Sequence, residues 1–385
     1  MSVQPQSSAK KGGLVVVGSG IRSVSQLTLE AVMHIEKADT VLYCVCDPST
    51  EGFIKRKNKN AIDIYGYYSD LKERPDAFVQ MAEVILREVR KGINVVAVFY
   101  GHPGIFVHPS RRALAIAKKE GYAARMLPGI SAEDCLFADL LVNPSFPGAQ
   151  LVEASDIVYR ARPLATSCHV VIFQAACFGH WKYNFTAFEN GKFDHLVNRL
   201  QKDYGPDHPI VSYMAAVSPL EDPVINRHTI SDLYKADVKK EITPNCTLYI
   251  PPKDLLPISP AGELIILGHQ AGPDETPKFP PLPIHHYLAP EEETYGPQET
   301  SAVAALEKGA ISADYRPYCA SPAMQKVTES LSLDPEVLKT YRESPQAFAE
   351  SIPGLEAREV KALASGSPVK IHDSMWVEGK SEVRW

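Results

Sequence analysis

From Gly13 to about Leu141, apolar runs of strand length alternate with stretches whose apolar residues recur at helical spacing. "LVVV" leads through "GSG" into the helix-like "SVSQLTLEAVMHIEKA", and "TVLYCVC" leads into "DPSTEGFIKRK". "RPDAFVQMAEVILREVRKG" has helical spacing, "VVAVFYG" is followed by "PSRRALAIAKKEG", and "YAARMLPG" runs into "SAEDCLFADLL". This alternation predicts an α/β layer on a largely parallel sheet. Between Cys168 and Gly268, "CHVVIFQ", "PIVSYMAAV", "NCTLYIPP" and "ELIILG" read as strands and "FDHLVNRLQKDYG" as a helix, a second α/β unit richer in strand. The expected order is a disordered N-terminus over 1–12, a first α/β subdomain over 13–150 and a second over 151–269. A proline-rich linker follows over 270–320, densest in proline and acidic residues from Gln270 to Glu299. Helical segments come next over 321–366, among them "SPAMQKVTESLSL", "DPEVLKTYRESPQAFAESI" and "EAREVKALASG", with Asp334 and Pro335 as a helix start. The stretch 367–385 is polar, has no clear period and reads as an unstructured terminus.

The 385 residues, 45% hydrophobic and 22% charged, suit two or three soluble domains. A net charge of -6 gives no electrostatic case for nucleic acid or an anionic membrane. No apolar run approaches the roughly 20 residues that span a bilayer, and the first dozen residues hold no apolar signal segment. Seven cysteines without a CxxC pair argue against a disulfide framework and structural zinc. No metal is expected, and a reducing, cytoplasmic setting is.

The candidate chemistry lies in loops. "VVAVFYG" runs directly into Gly101-His102-Pro103-Gly104, whose glycines let a ligand approach the main chain. "GSG" and "LPGISAED" likewise follow strands, and ligands in open α/β sheets gather outside the carboxyl ends of strands. A dinucleotide-dependent oxidoreductase is one reading, with Asp47 at the end of the second strand, but Ser23 stands where the third glycine of that fingerprint belongs. Tyr65, Tyr67, Tyr68, Lys72 and Arg74 form a polar-aromatic stretch that reads as a surface loop or as part of a site.

"VVVGSG", "YGHPGIF" and "LPGISAEDCLFADL" together resemble the S-adenosylmethionine loops of the tetrapyrrole-methylase type (class III) methyltransferases. "KNKNAIDIYGYY", "MAEVILREVRKG", "HPSRRALAIAKKEGY" and "DPEVLKTYRESPQAFAES" resemble the omphalotin-type borosin precursors, in which a methyltransferase is fused to its own peptide substrate. The resemblance covers about residues 12 to 365. It implies tandem α/β methyltransferase domains followed by an extended clasp and C-terminal helices. It also implies an interlocked homodimer in which each protomer methylates backbone amides of the other's C-terminal tail, placed here in 367–385. S-adenosylmethionine is the implied donor and S-adenosylhomocysteine its product. A downstream protease and macrocyclase are partners that the resemblance allows.

The resemblance nominates Tyr100, His102, Ile105, Phe106, Ser131, Ala132, Gln174, Tyr213, Met214 and Thr247 for the cofactor. His102 alone reads equally as a loop histidine held by hydrogen bonds. Aromatic faces suit a sulfonium cation. A peptide amide is a poor nucleophile, so the site must stabilise charge developing on the amide oxygen. For this the resemblance nominates Tyr65, Tyr68 and Arg74, one tyrosine taking the proton. The family has tyrosine where this chain has Phe78, and phenylalanine neither donates to an oxyanion nor relays a proton. A cofactor-binding scaffold with impaired catalysis is therefore an alternative outcome.

Overall fold

The computed structural model describes residues 12–182, 190–254, 256, 259–267, 297–304 and 318–376. Residues 1–11, most of the proline-rich linker and the end of the tail, 377–385, lie outside the described residues. The chain divides into two units. One takes the chain up to Leu27 and from Ala38 to Glu293; the other takes Thr28–Lys37 and everything from Thr294.

In chain order the elements begin β1 (Gly13–Gly18), α1 (Leu29–Lys37), β2 (Thr40–Cys44), α2 (Pro48–Lys57), β3 (Ala61–Asp63), α3 (Arg74–Val89), β4 (Asn94–Phe99), α4 (His108–Lys119), β5 (Ala123–Met126) and α5 (Ala132–Asp139). The five strands make one parallel sheet of order β3-β2-β4-β1-β5, and β1 pairs with β4 in register from Gly13 with Asn94 to Gly18 with Phe99. Its central strands are buried on both faces, which is why they read as continuous apolar runs. The apolar face of α3, with Met81, Ile85 and Leu86 at most 1% exposed, packs with Leu14, Val16 and Leu42. Each such side chain contributes about 1.5–3 kcal/mol of burial.

The chain continues with β6 (Ala149–Glu153), α6 (Ala154–Tyr159), β7 (His169–Phe173), α7 (Phe193–Tyr204), β8 (Pro209–Met214), β9 (Val224–Thr229), α8 (Ala236–Glu241), β10 (Thr247–Ile250) and α9 (Pro260–Leu267). The second sheet has the order β6-β7-β10-β8-β9, parallel only between β6 and β7. Leu136 and Leu140, on and just after α5, pack in one cluster with Val171, Phe173, Val211 and Tyr213 of this sheet.

Three sequence expectations are corrected. "ELIIL" falls within helix α9, not a strand, and the Gly268 that follows lies outside the described residues: Ser259 Oγ accepts the Gly262 N–H and Pro260 opens the first turn. A short apolar run fits either structure by periodicity alone. The first helix starts at Leu29 rather than near Ser23, because Gln26 turns back to bind the loop before it. The third correction concerns the tail.

The second unit holds α1 and the helices α10 (Pro297–Ala304), α11 (Pro322–Leu333), α12 (Pro335–Glu343), α13 (Pro345–Ser351), α14 (Ala357–Ala364) and α15 (Pro368–Ser374). Helix α15 lies in the stretch expected to be unstructured. Ser367 caps it by accepting the Lys370 N–H, Pro368 starts it, and Ile371 and Met375 join a core built on Met324, Tyr341 and Leu363. Trp376 then bridges to Tyr318, and the Cys319 N–H donates to the Met375 carbonyl at 2.8 Å. The expected period-free tail is thus folded as far as Trp376.

Glu359 of α14 ties this unit together. It is fully buried, and its carboxylate accepts the Ser321 N–H (2.7 Å), the Ser321 hydroxyl (2.6 Å) and the Glu356 N–H (2.9 Å). Burial pushes its pKa up, but these hydrogen bonds and Arg358 outweigh that and hold it below the usual carboxylate range. Its contribution is therefore complete above the unfolded value of about 4.3 and is lost as pH falls through the folded value. Glu359→Ala strands three donors and is expected to cost about 2–4 kcal/mol. Amide hydrogen exchange of residues 320–364 at neutral pH should accelerate accordingly. Exchange identical to the parent would remove the carboxylate from the account of this unit's stability.

Candidate active site

β4 ends at Phe99, and the chain leaves it through Tyr100-Gly101-His102-Pro103-Gly104. Gly101 takes φ +69° and exchanges backbone bonds with Gly20: its N–H donates to the Gly20 carbonyl at 3.0 Å, and the Gly20 N–H returns to its own carbonyl at 3.3 Å. A Cβ on Gly18 would overlap the Gly101 carbonyl oxygen. The "GSG" glycines therefore hold loop against loop. The Ile21 and Arg22 N–H groups donate to Gln26 Oε1 at 2.7 and 2.8 Å, and Asp47 caps α2 by accepting the Thr50 N–H. The loop N–H groups that a dinucleotide's phosphates would need are spent inside the protein. Gly104 also differs from expectation. A Cβ there would meet Met126 Sδ at 2.9 Å and His102 Cε1 at 3.2 Å, so this glycine accommodates its protein neighbours.

A cleft of about 260 Å³ opens against these loops and the ends of β7, β8 and β10. Tyr100, His102, Ile105, Phe106, Ser131, Ala132, Gln174, Tyr213, Met214 and Thr247 all line it, as do Tyr65 and Tyr68. His102 Nδ1 accepts the Gly104 N–H at 3.0 Å, which leaves the proton of a neutral ring on Nε2. The loop-held and cleft-lining readings of this histidine thus describe one residue. The Ser131 hydroxyl is spent in a capping box, donating to Asp134 at 2.6 Å. Tyr213, 1% exposed, donates to Asp139 at 2.6 Å, and burial followed by this carboxylate raises its pKa. It is a fixed wall, not a base. Burial likewise raises Tyr100.

Phe106 and Gln174 both adopt left-handed backbone, φ 55° and 60°. Non-glycine residues pay for that conformation, and such strain clusters at functional sites. The Phe106 ring, half exposed, lies 4.7 Å from that of Phe173.

Arg74 and Phe78 stand outside the cleft wall, one turn apart on α3. Arg74 reaches it indirectly: Nη1 donates to Gln174 Oε1 at 3.2 Å and Nη2 to the His180 carbonyl at 2.8 Å. Phe78 lies edge-on to Tyr68 with ring centroids 6.1 Å apart, and Tyr68 in turn to Tyr65 at 5.4 Å. The structure thus gathers both nominated groups around one space, tyrosines on the wall and Arg74 and Phe78 behind it.

Comparison with known proteins decides the family. Residues 13–233 match the tetrapyrrole (corrin/porphyrin) methylases, and residues 294–383 match the borosin biosynthesis clasp domain. The chain is 45% identical over 383 residues to the methyltransferase/ribosomally synthesized cyclic peptide omphalotin A precursor of Omphalotus olearius, covering 97% of this chain and 90% of that one. It belongs to the borosin family. The dendrothelin A precursor of Dendrothele bispora is 46% identical, covering 97% and 90% of the two chains. The lentinulin A precursor of Lentinula edodes is 48% identical, covering 93% and 86%.

This borosin chain is a methyltransferase of tetrapyrrole-methylase type. Its cleft also contains residues that the sequence did not assign to a site. Cys44, Cys46 and Cys246 line it; burial pushes the Cys44 and Cys246 thiols up, Cys246 to about 12, while Cys46 is exposed. The two buried thiols are packing groups and not nucleophiles. Glu133 lines it too. Among the described residues no cluster of three or more His, Cys, Asp or Glu could hold a metal ion, and no helix is long and apolar enough to cross a membrane.

Proposed function

We propose that this borosin methyltransferase uses S-adenosylmethionine to methylate backbone amide nitrogens of its own C-terminal peptide, iteratively and across a homodimer. The observation that carries the reading is the single cleft that joins the strand-end loops to Tyr65 and Tyr68, with Arg74 and Phe78 behind. The residues fit the donor. Among the described residues the wall combines Tyr100, Phe106 and Ile105 with no lysine or arginine, and a Cβ on Gly101 would meet only Ile21 Cδ1 at 3.4 Å and the Ile130 carbonyl at 4.0 Å. Aromatic faces favour a cation there. When bound, the donor supplies an electrophilic methyl group.

The chain's own residues prepare the amide. Arg74, held by Gln174 and the His180 carbonyl and beside the Cys177 thiol, offers its remaining guanidinium N–H groups to the oxygen on which charge develops. Tyr65 or Tyr68 relays the amide proton, accepting it at the phenol oxygen as its own hydroxyl proton passes to water. The clasp, 294–383, holds the partner so that its tail reaches this cleft, and the relatives are named as precursors of cyclic peptides. The stretch 368–376 is folded in the helical unit, so the substrate segment is proposed to lie outside it.

Phe78 favours a second reading, a scaffold that binds donor and tail but barely turns over. Incubation with S-adenosylmethionine followed by intact-mass measurement separates the two. Stepwise gain of single methyl groups is expected, slowly. An unshifted mass with tight S-adenosylhomocysteine binding in calorimetry would establish the scaffold. Absence of binding would overturn both readings. Mixing an Arg74→Ala chain with a chain ending at Trp376 tests the transfer across protomers, since only the first then carries the tail beyond Trp376.

A further inference from the structure

Glu133 has no assigned work. It occupies the first turn of α5, is 5% exposed, and lines the cleft next to Ser131 and Ala132. Its Oε2 is buried with no hydrogen-bond partner among the described residues. The other acids of this helix are occupied: Asp134 accepts the Ser131 N–H and hydroxyl, and Asp139 accepts the Tyr213 hydroxyl. Among the described residues no lysine or arginine lines the cleft to pair with it. A helix N-terminus favours an anion, but a buried carboxylate with an unused oxygen costs more than that end returns. Such a group is retained where a ligand completes it.

We infer that Glu133 binds the α-ammonium of the methyl donor's amino-acid portion, an assignment that rests on the cofactor reading above. The sulfonium carries no hydrogen to donate, and sugar hydroxyls are neutral. The ammonium alone brings both N–H donors and the charge that a buried carboxylate lacks. Glu133 is then a specificity residue that selects a donor bearing a free amino group.

Calorimetric titration of the full-length protein with S-adenosylhomocysteine and with its deaminated analogue, identical but for the missing amino group, tests this. In the parent the analogue is expected to bind at least about tenfold more weakly, as one charge-assisted bond predicts. In Glu133→Gln that difference should shrink to less than about twofold, because S-adenosylhomocysteine loses affinity and the analogue does not. Equal affinities in the parent, which need no variant to fold, would overturn the assignment. So would a gap that persists in Glu133→Gln, or a variant that loses both ligands equally. A parent that binds neither ligand would sink the cofactor reading and this assignment together.

Discussion

Phe78→Tyr is expected to raise the rate of methyl incorporation by roughly a hundredfold to a thousandfold, about 3–4 kcal/mol of barrier, the usual worth of one donor to a developing oxyanion. The structure shows why the substitution should be tolerated. Phe78 is half-buried on α3, with Ala77 and Met81, not Phe78 itself, facing the core. Its ring lies against Tyr68 and 5.8 Å from the His108 ring, a polar-aromatic surround that accepts a hydroxyl. Donor binding should be unchanged, since Phe78 does not line the cleft. The measurement is intact mass against time for parent and variant at saturating S-adenosylmethionine. Equal rates, with the parent methylating briskly, would make Phe78 a packing residue and leave the chemistry to Tyr65, Tyr68 and Arg74.

How much of this was legible in the sequence follows burial. β1, β2 and β4 are enclosed on both faces, so "LVVV", "TVLYC" and "NVVAVF" announce themselves. β6 ("AQLVE") and β9 ("VINRHT") are the edges of the second sheet, mostly uncovered, and their mixed composition carries little signal. α15 escaped notice because its apolar positions, Ile371 and Met375, are few, although Ser367 and Pro368 are a readable start. The glycine loops pointed to the cleft, but for partly different reasons than approach to a ligand: Gly18, Gly20 and Gly104 serve neighbouring loops. Glu133 was invisible because an acid in the first turn of a helix ordinarily needs no other purpose. The bond from Arg74 to Gln174 spans a hundred positions, and only the fold could reveal it.

That bond underlies the second large effect. Arg74→Ala, made in the Phe78→Tyr background, is expected to lower methylation by about a hundredfold or more. The arginine is fixed at two points, Gln174 Oε1 and the His180 carbonyl, so its remaining N–H groups need no reorganisation when charge develops. Lysine offers the charge but not the planar fork that reaches both acceptors. Arg74→Lys should therefore recover little, which separates a geometric role from a purely electrostatic one. The fold should survive in each variant, because the backbone N–H of residue 74 keeps its bond to the Trp181 carbonyl at 2.7 Å. Freed from the guanidinium, Gln174 retains its left-handed backbone but loses the contact that holds its side chain at the cleft. S-adenosylhomocysteine affinity should accordingly fall only a few-fold, far less than the rate. Rates for Arg74→Ala equal to its parent's would show that the fork merely ties α3 to the loop after β7, and the oxyanion donors would have to be sought among the tyrosines of the wall.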